Sequence, residues 1–341
     1  MSKMSKLFFR LILTTLTISG VFFGGSFFWR ALNSDKDPRP TISTVDYSTQ
    51  SFTKNQNQPN VISKIFEINN SSSKPKINKS LVPLKIILPI LMYHHIDTVP
   101  DFLAKDTTAK GLRVSPKVFE QQLQYLQTQK YNTINSFQLQ QYLDGEFELP
   151  NNPVMLTFDD GYKDNYDNAF PLLLKYSMVG DFAIVTSKVE AGEYISWQNL
   201  KSMLNSGMSV SSHTVSHCTL AIKDTENIGQ FLGSPVDNND HTSCSTFAIQ
   251  ERLNTGQLEF ELSESKKILE QKLGIKVSHL VYPFGFHNTQ VHDIAKRVGY
   301  QFATTVVPQT NYITDFTNPF ELGRIRVQGQ QDGSLNGFFV E

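Results

Sequence analysis

The chain has 341 residues, with 31 Lys and Arg against 32 Asp and Glu, for a formal net charge of −1. That balance supplies no general attraction to nucleic acid, and the length suits one large domain or two small ones. No internal repeat is present.

At the N-terminus, Lys3, Lys6 and Arg10 precede an uncharged run from Leu11 to Trp29, "LILTTLTISGVFFGGSFFW". Its 19 residues, at about 1.5 Å each, come close to a hydrocarbon thickness of roughly 30 Å. No Ala-x-Ala cleavage site follows, and Trp29 and Arg30 suit the far interface. Residues 1–32 are therefore expected to form a membrane signal anchor with its N-terminus inside, a cleaved signal peptide being the alternative. The rest of the chain would then lie in the periplasm or at the cell surface, or be secreted if the segment is removed. Residues 33–84 are dominated by Ser, Thr, Asn, Gln, Lys and Pro, as in "NNSSSKPKINKS". Such a composition buries too little apolar surface to offset ordering entropy, so a flexible, disordered tether is expected.

Residues 85–341 alternate short apolar runs with helical patterns. "KIILPIL" (85–91) reads as a buried strand. In "SPKVFEQQLQYLQTQKY", Ser115 caps a helix that Pro116 opens, with Phe119, Leu123 and Leu126 on one face. A short strand near Asn132–Ile134 and a helix from about Phe137 to Leu143 follow. "PVMLTF" is a strand, Asp164 to Tyr176 is helical despite Pro171, and "DFAIVT" is a strand. "WQNLKSML", "MSVSS" and "LEFELSESKKILEQKLG" read as helix, strand and helix, the last ending on Gly274. "HLVY", "QVHDIAKRVG", "QFATTVV" and "LGRIRV" read as strand, helix, strand and strand. A long polar stretch within about 221–256 has no regular pattern and is expected to be an inserted surface loop. Strands alternating with helices argue for an α/β fold with a parallel sheet, and eight candidate strands for a closed, irregular (β/α) barrel. Cys218 and Cys244, the only cysteines, would close a loop over 218–244 if they pair, an inert buried thiol being the alternative.

In such a barrel, chemistry collects where strands end. The strand "PVMLTF" ends in Asp159 and Asp160, two adjacent carboxylates that repel each other unless a cation compensates. "MSVSS" ends in His213 and His217, spaced so that a helical turn would put both imidazoles on one side. "HLV" ends in "YPFG" (282–285). An Asp-His-His set offers the ligand types of a catalytic Zn²⁺ site with an open position. Adjacent residues leaving an extended strand point in opposite directions. One acid could then hold the cation while the other takes a proton from a water that the cation acidifies. Metal, water and carboxylate base together describe hydrolysis of an acyl group.

The motifs "TFDDGY", "HTVSH" and "YPFG", in this order between α/β elements, resemble those of the polysaccharide deacetylases of the NodB-homology type, carbohydrate esterase family 4. The similarity covers roughly residues 85–330. "PILMYHHI" and "NPFELGRIRV" look most like the branch that deacetylates poly-N-acetylglucosamine. The resemblance implies the irregular barrel of that family, an acetylated polysaccharide as substrate, and a divalent metal, Zn²⁺ foremost, with Co²⁺ or Ni²⁺ open. It makes Asp159 the general base and Asp160, His213 and His217 the metal ligands. The backbone N–H of Phe284 would help stabilise the tetrahedral oxyanion. Trp197 resembles an aromatic ahead of the His motif, with core packing as its other reading.

Two departures stand out. The family's third motif often carries an Arg that orients the base, and here that position is Val281; Arg324 or Arg326 would substitute, Arg324 first. The late Leu-x-His that protonates the leaving amine is missing, since no His follows Val306. The acid is left open among His287, His292, His94 and metal-bound water. The expected activity is N-deacetylation of an N-acetylglucosamine polymer outside the cytoplasmic membrane. The alternatives are an O-acetyl esterase acting on xylan or another acetylated glycan, and a tethered glycan-binding protein with little turnover.

Overall fold

The computed structural model describes residues 86–221, 253–307, 311–314 and 317–327. The expected membrane anchor, the tether, most of the inserted loop and Cys244 lie outside the described residues. Among the described residues, no helix is long and apolar enough to cross a membrane.

The strands are β1 (Ile86–Leu88), β2 (Ile90–Tyr93), β3 (Asn132–Ile134), β4 (Pro153–Phe158), β5 (Asp181–Ile184), β6 (Ser209–Ser212), β7 (His279–Val281), β8 (Phe302–Thr304), β9 (Asn311–Ile313) and β10 (Ile325–Arg326). Around them run α1 (Thr107–Gly111), α2 (Pro116–Thr128), α3 (Ser136–Leu143), α4 (Phe170–Lys175), α5 (Trp197–Asn205), α6 (Thr255–Leu273) and α7 (Thr289–Val298). The main sheet is parallel throughout, in the order β10-β2-β4-β5-β6-β7-β8, with β3 paired to the start of β4. "KIILPIL" is not one strand. Pro89, which has no N–H to offer a ladder, separates β1 from β2. β1 then pairs antiparallel with β9, a strand that the sequence patterns did not reveal.

The sheet is a curled half-barrel and not the closed barrel expected from strand count. β8 and β10, at the two ends of the sheet, form no ladder with each other. The gap is spanned by one parallel bridge, Thr304 to Leu322, and by backbone bonds such as Thr305 N–H to Leu322 O at 2.9 Å and Arg324 N–H to Val307 O at 3.1 Å. This irregular seam lets a long side chain enter the barrel there.

Alternation along the strands sorts side chains into two layers. Leu156, Phe158, Phe182, Val210 and Leu280 join the core under the helices. Met155 and Phe302 turn inward, where Leu88, Ile90, Ile134 and Ile313 complete a second buried cluster. Tyr93, Phe158 and Phe182 lie in register on neighbouring strands and stack at 5.2 and 4.7 Å. This ladder stiffens the strand ends next to the acids.

The helices start where the sequence says. Ser115 Oγ accepts the Val118 N–H at 3.3 Å, with Pro116 at the first turn. Asn254 and Gln257 form a capping box at α6, and Gly274, in the left-handed region at φ 70°, ends it.

Candidate active site

Asp159 continues the inward set begun by Met155 and Thr157 and meets Arg324. The guanidinium grips the carboxylate with both prongs: Nη1 to Oδ1 at 2.7 Å and Nη2 to Oδ2 at 2.8 Å. The same Nη1 donates to Thr157 Oγ1 at 3.1 Å, and Nε donates to the Thr305 carbonyl at 3.1 Å. Arg324 is 0% exposed and Asp159 2%. Burial alone would raise the Asp159 carboxyl, but Arg324 and His213 outweigh it and hold the group below its usual range. Val281, where an Arg was looked for, contributes its backbone instead.

Asp160 does not follow the strand alternation that was expected to point the two acids apart. Its φ of 71° is left-handed, as is that of Gly161 at 76°, and the chain folds sharply back. The turn brings Asp160 Oδ1 to 3.3 Å from His217 Nε2 and 3.5 Å from His213 Nε2. The two Nε2 atoms are 3.1 Å apart. His213 donates its Nδ1–H to the Val281 carbonyl at 2.8 Å, so its Nε2 presents a bare lone pair. Burial pulls the His217 imidazole down to about 3 against the influence of Asp160, so it is neutral at pH 7. Burial also opposes charge on Asp160, but His217 and His213 hold its carboxyl well below the usual range. One carboxylate oxygen and two imidazole Nε2 atoms therefore converge on one point. Ligands at roughly 2.0 Å from a tetrahedral ion sit about 3.3 Å from one another, so the set fits a divalent cation.

The two histidines do not converge through a helix. The segment after β6 is a bent loop in which Thr214 (φ 67°) and His217 (φ 59°) are left-handed. Glu261 of α6, buried at 5% exposure, ties the loop down. Its Oε2 accepts the N–H groups of Val215 and Ser216 at 2.9 Å each, and Oε1 accepts the Ser216 hydroxyl at 2.9 Å. Sequence reasoning missed Glu261. The available signal was an acid on the buried stripe of α6, between Leu258 and Leu262. Cys218, next to His217, is disulfide-bonded and thus no thiolate ligand.

Tyr282-Pro283-Phe284-Gly285 passes over the same rim. Phe284 has φ 57°, and its ring centre lies 4.7 Å from that of His217. Gly285 has φ 74°, and a Cβ there would sit 2.4 Å from Val306 Cγ2 and 2.7 Å from the Val306 nitrogen. Only glycine fits. Four non-glycine residues in left-handed backbone, Asp160, Thr214, His217 and Phe284, thus gather around the candidate site, as strain does where geometry is held by surrounding structure.

Of the histidines considered as acid, His94 is the one close enough to feel both Asp159 and Asp160. Burial lowers its pKa, while Asp159 and Asp160 push it back up. It follows β2 directly, beside the end of β4. Arg326 also lies within electrostatic reach of Asp159. His287 and His292 pair with each other, and neither acid is among the charges acting on them. Trp197 packs against the helix-side core, with Lys272 Nζ 5.9 Å over its ring.

Residues 148–303 match the family model described as polysaccharide deacetylase. The chain is 24% identical over 234 residues to the poly-beta-1,6-N-acetyl-D-glucosamine N-deacetylase of Staphylococcus aureus (strain MSSA476), covering 66% of this chain and 71% of that one. The fold is similar to that of the polysaccharide deacetylase BC0361 of Bacillus cereus (TM-score 0.55, 27% identity, 74% of this chain and 68% of that one). It is also similar to that of the Streptococcus pyogenes deacetylase PplD in complex with acetate (TM-score 0.59, 24% identity, 72% and 93%).

Proposed function

We propose that this chain, whose residues 148–303 match the polysaccharide deacetylase family model, removes N-acetyl groups from an N-acetylglucosamine-containing polymer outside the cytoplasmic membrane. The substrate class is supported by the similarity to a poly-N-acetylglucosamine deacetylase and by the "PILMYHHI" and "NPFELGRIRV" ends of the domain. The extracytoplasmic location is supported by the apolar run at residues 11–29.

Asp160, His213 and His217 would hold a divalent ion, with Zn²⁺ as the best match to one carboxylate and two imidazoles. Such an ion supplies Lewis acidity for the acetyl carbonyl and for the attacking water. Asp159 is the base in this reading. Arg324 fixes both of its oxygens and keeps it ionised, so its free lone pairs face the site in a set orientation. A carboxylate with so low a proton affinity suits a water that is already acidified, not one in bulk. The Phe284 N–H, on a loop pinned by Gly285 whose Phe284 ring lies beside His217, would help receive the developing oxyanion. His94, within electrostatic reach of Asp159 and Asp160, would relay to the leaving amine nitrogen the proton that Asp159 takes from the water.

One observation carries the reading: three ligand-type atoms lie within 3.5 Å of one another beside a buried, arginine-clamped carboxylate. With His94 as donor, the missing late histidine no longer argues for an ester substrate. The full chain in detergent, loaded with Zn²⁺, Co²⁺ or Ni²⁺, should release acetate from N-acetylglucosamine oligomers. Absence of release with all of these metals, from every acetylated glycan tried, would reject it.

A further inference from the structure

The loop that passes the site at Phe284 runs on into another group of convergent side chains. His287 Nδ1 and His292 Nε2 are 2.9 Å apart, and His292 Nδ1 lies 3.7 Å from Glu321 Oε1. One donor atom from each of the three residues falls within 4.8 Å of the others. They come from separate places: the loop after β7, the first turns of α7, and the irregular seam before β10.

Their orientation is imposed from outside. The Tyr282 ring stacks on His287 at 5.0 Å and on His292 at 6.1 Å, and the two imidazoles stack at 4.9 Å. Tyr282 is itself fixed, since its hydroxyl donates to the Phe320 carbonyl at 3.1 Å, one residue before Glu321. Burial pulls both imidazoles below their usual range. Asp160, His213 and His217 form the other group of this kind among the described residues.

We propose that His287, His292 and Glu321 form a second divalent-metal site, separate from the Asp160 centre. Two imidazoles and one carboxylate suit borderline cations, Zn²⁺, Ni²⁺ and Cu²⁺, ahead of Mg²⁺ or Ca²⁺. An ion there would bind the Phe284 loop, α7 and the seam to one another.

The test is a Zn²⁺ titration of the full chain in detergent against a chromophoric chelator. The wild-type chain should take up two equivalents. A variant carrying His213→Gln and His217→Gln should keep one, and adding His292→Gln should remove it. Glu321 is largely exposed, so Glu321→Gln leaves the fold alone. It should weaken the remaining equivalent by at least about tenfold, the loss that even an outer-shell partner causes. A wild-type chain that takes up one equivalent overturns the proposal. So does a remaining equivalent that binds as tightly after both His292→Gln and Glu321→Gln. In either case the His287–His292 pair is only an imidazole hydrogen bond holding the loop to the helix.

Discussion

Arg324 and Asp159 face each other with two parallel hydrogen bonds, 2.7 and 2.8 Å long, and neither is open to solvent. A buried pair of this kind costs a great deal when one partner is removed, because the other charge is stranded. Arg324→Ala is expected to lose about 3–5 kcal/mol of stability, measured by chemical denaturation. Arg324→Lys keeps the charge but replaces the fork with a point donor. It should fold, with kcat reduced and KM little changed. A lysine variant with wild-type kcat would show that orientation of Asp159 is irrelevant.

Glu261 touches neither acid nor imidazole, yet it holds the backbone between His213 and His217. Glu261→Ala frees the N–H groups of Val215 and Ser216 and lets His217 leave its left-handed conformation. Metal affinity at the Asp160 centre should drop by about 10–100-fold, the range for supporting residues around an ion. A chelator competition assay reads it directly, and excess metal should restore part of the activity.

His94 separates the amide reading from the ester reading. An amine leaving group needs a proton and an acetyl ester's alkoxide needs far less assistance. His94→Gln should therefore lower turnover of an N-acetyl substrate by about 10²–10⁴-fold. Hydrolysis of an acetyl ester on a matched sugar should fall much less. Equal losses on both substrates would remove His94 from the role of proton donor.

Acid should unfold the metal-free chain at a defined point. Asp181 is fully buried with His279, Ser209 and Ser211 bonded to its carboxylate at 2.9, 2.6 and 2.7 Å. Burial would raise its carboxyl, but His279 and the hydroxyls outweigh that and hold it low. Asp159 and Asp160 are lowered likewise. A depressed folded pKa contributes stability that is present above the ordinary value of 3.8 and lost as pH falls through the folded value. Urea midpoints should hold steady down to about pH 5 and fall steeply below about pH 4. Asp181→Asn should flatten that fall.

Much of this architecture is legible along the chain because it is local. Ser115-Pro116 and Gly274 mark helix ends by their own chemistry, and "PVMLTF" followed by two acids marks a strand end. The sequence also singles out Asp159, Asp160, His213 and His217, since carboxylates and imidazoles at strand ends stand out against an apolar core. Their geometry is less legible. A helical spacing of His213 and His217 suggested a helix, but tertiary contacts from Glu261 favoured a bent loop. Strand alternation suggested diverging acids, but Asp160 adopts the left-handed conformation, which aspartate tolerates better than most residues. Arg324 stands 165 positions from Asp159; no periodicity reveals such a pairing, and only the family resemblance pointed to it. β9 was hidden because Asn311–Ile313 is short and has a mixed pattern.

The arginine that completes the base is delivered by nearly the last stretch of the described chain, just before β10. A ribosome would have made Asp159, Asp160, His213 and His217 long before Arg324 emerged. A product cut short upstream of that point keeps Asp159 in the interior with no counter-charge, and the seam beside β8 stays unfilled. Copies truncated upstream of Arg324 should thus be both inert and prone to degradation.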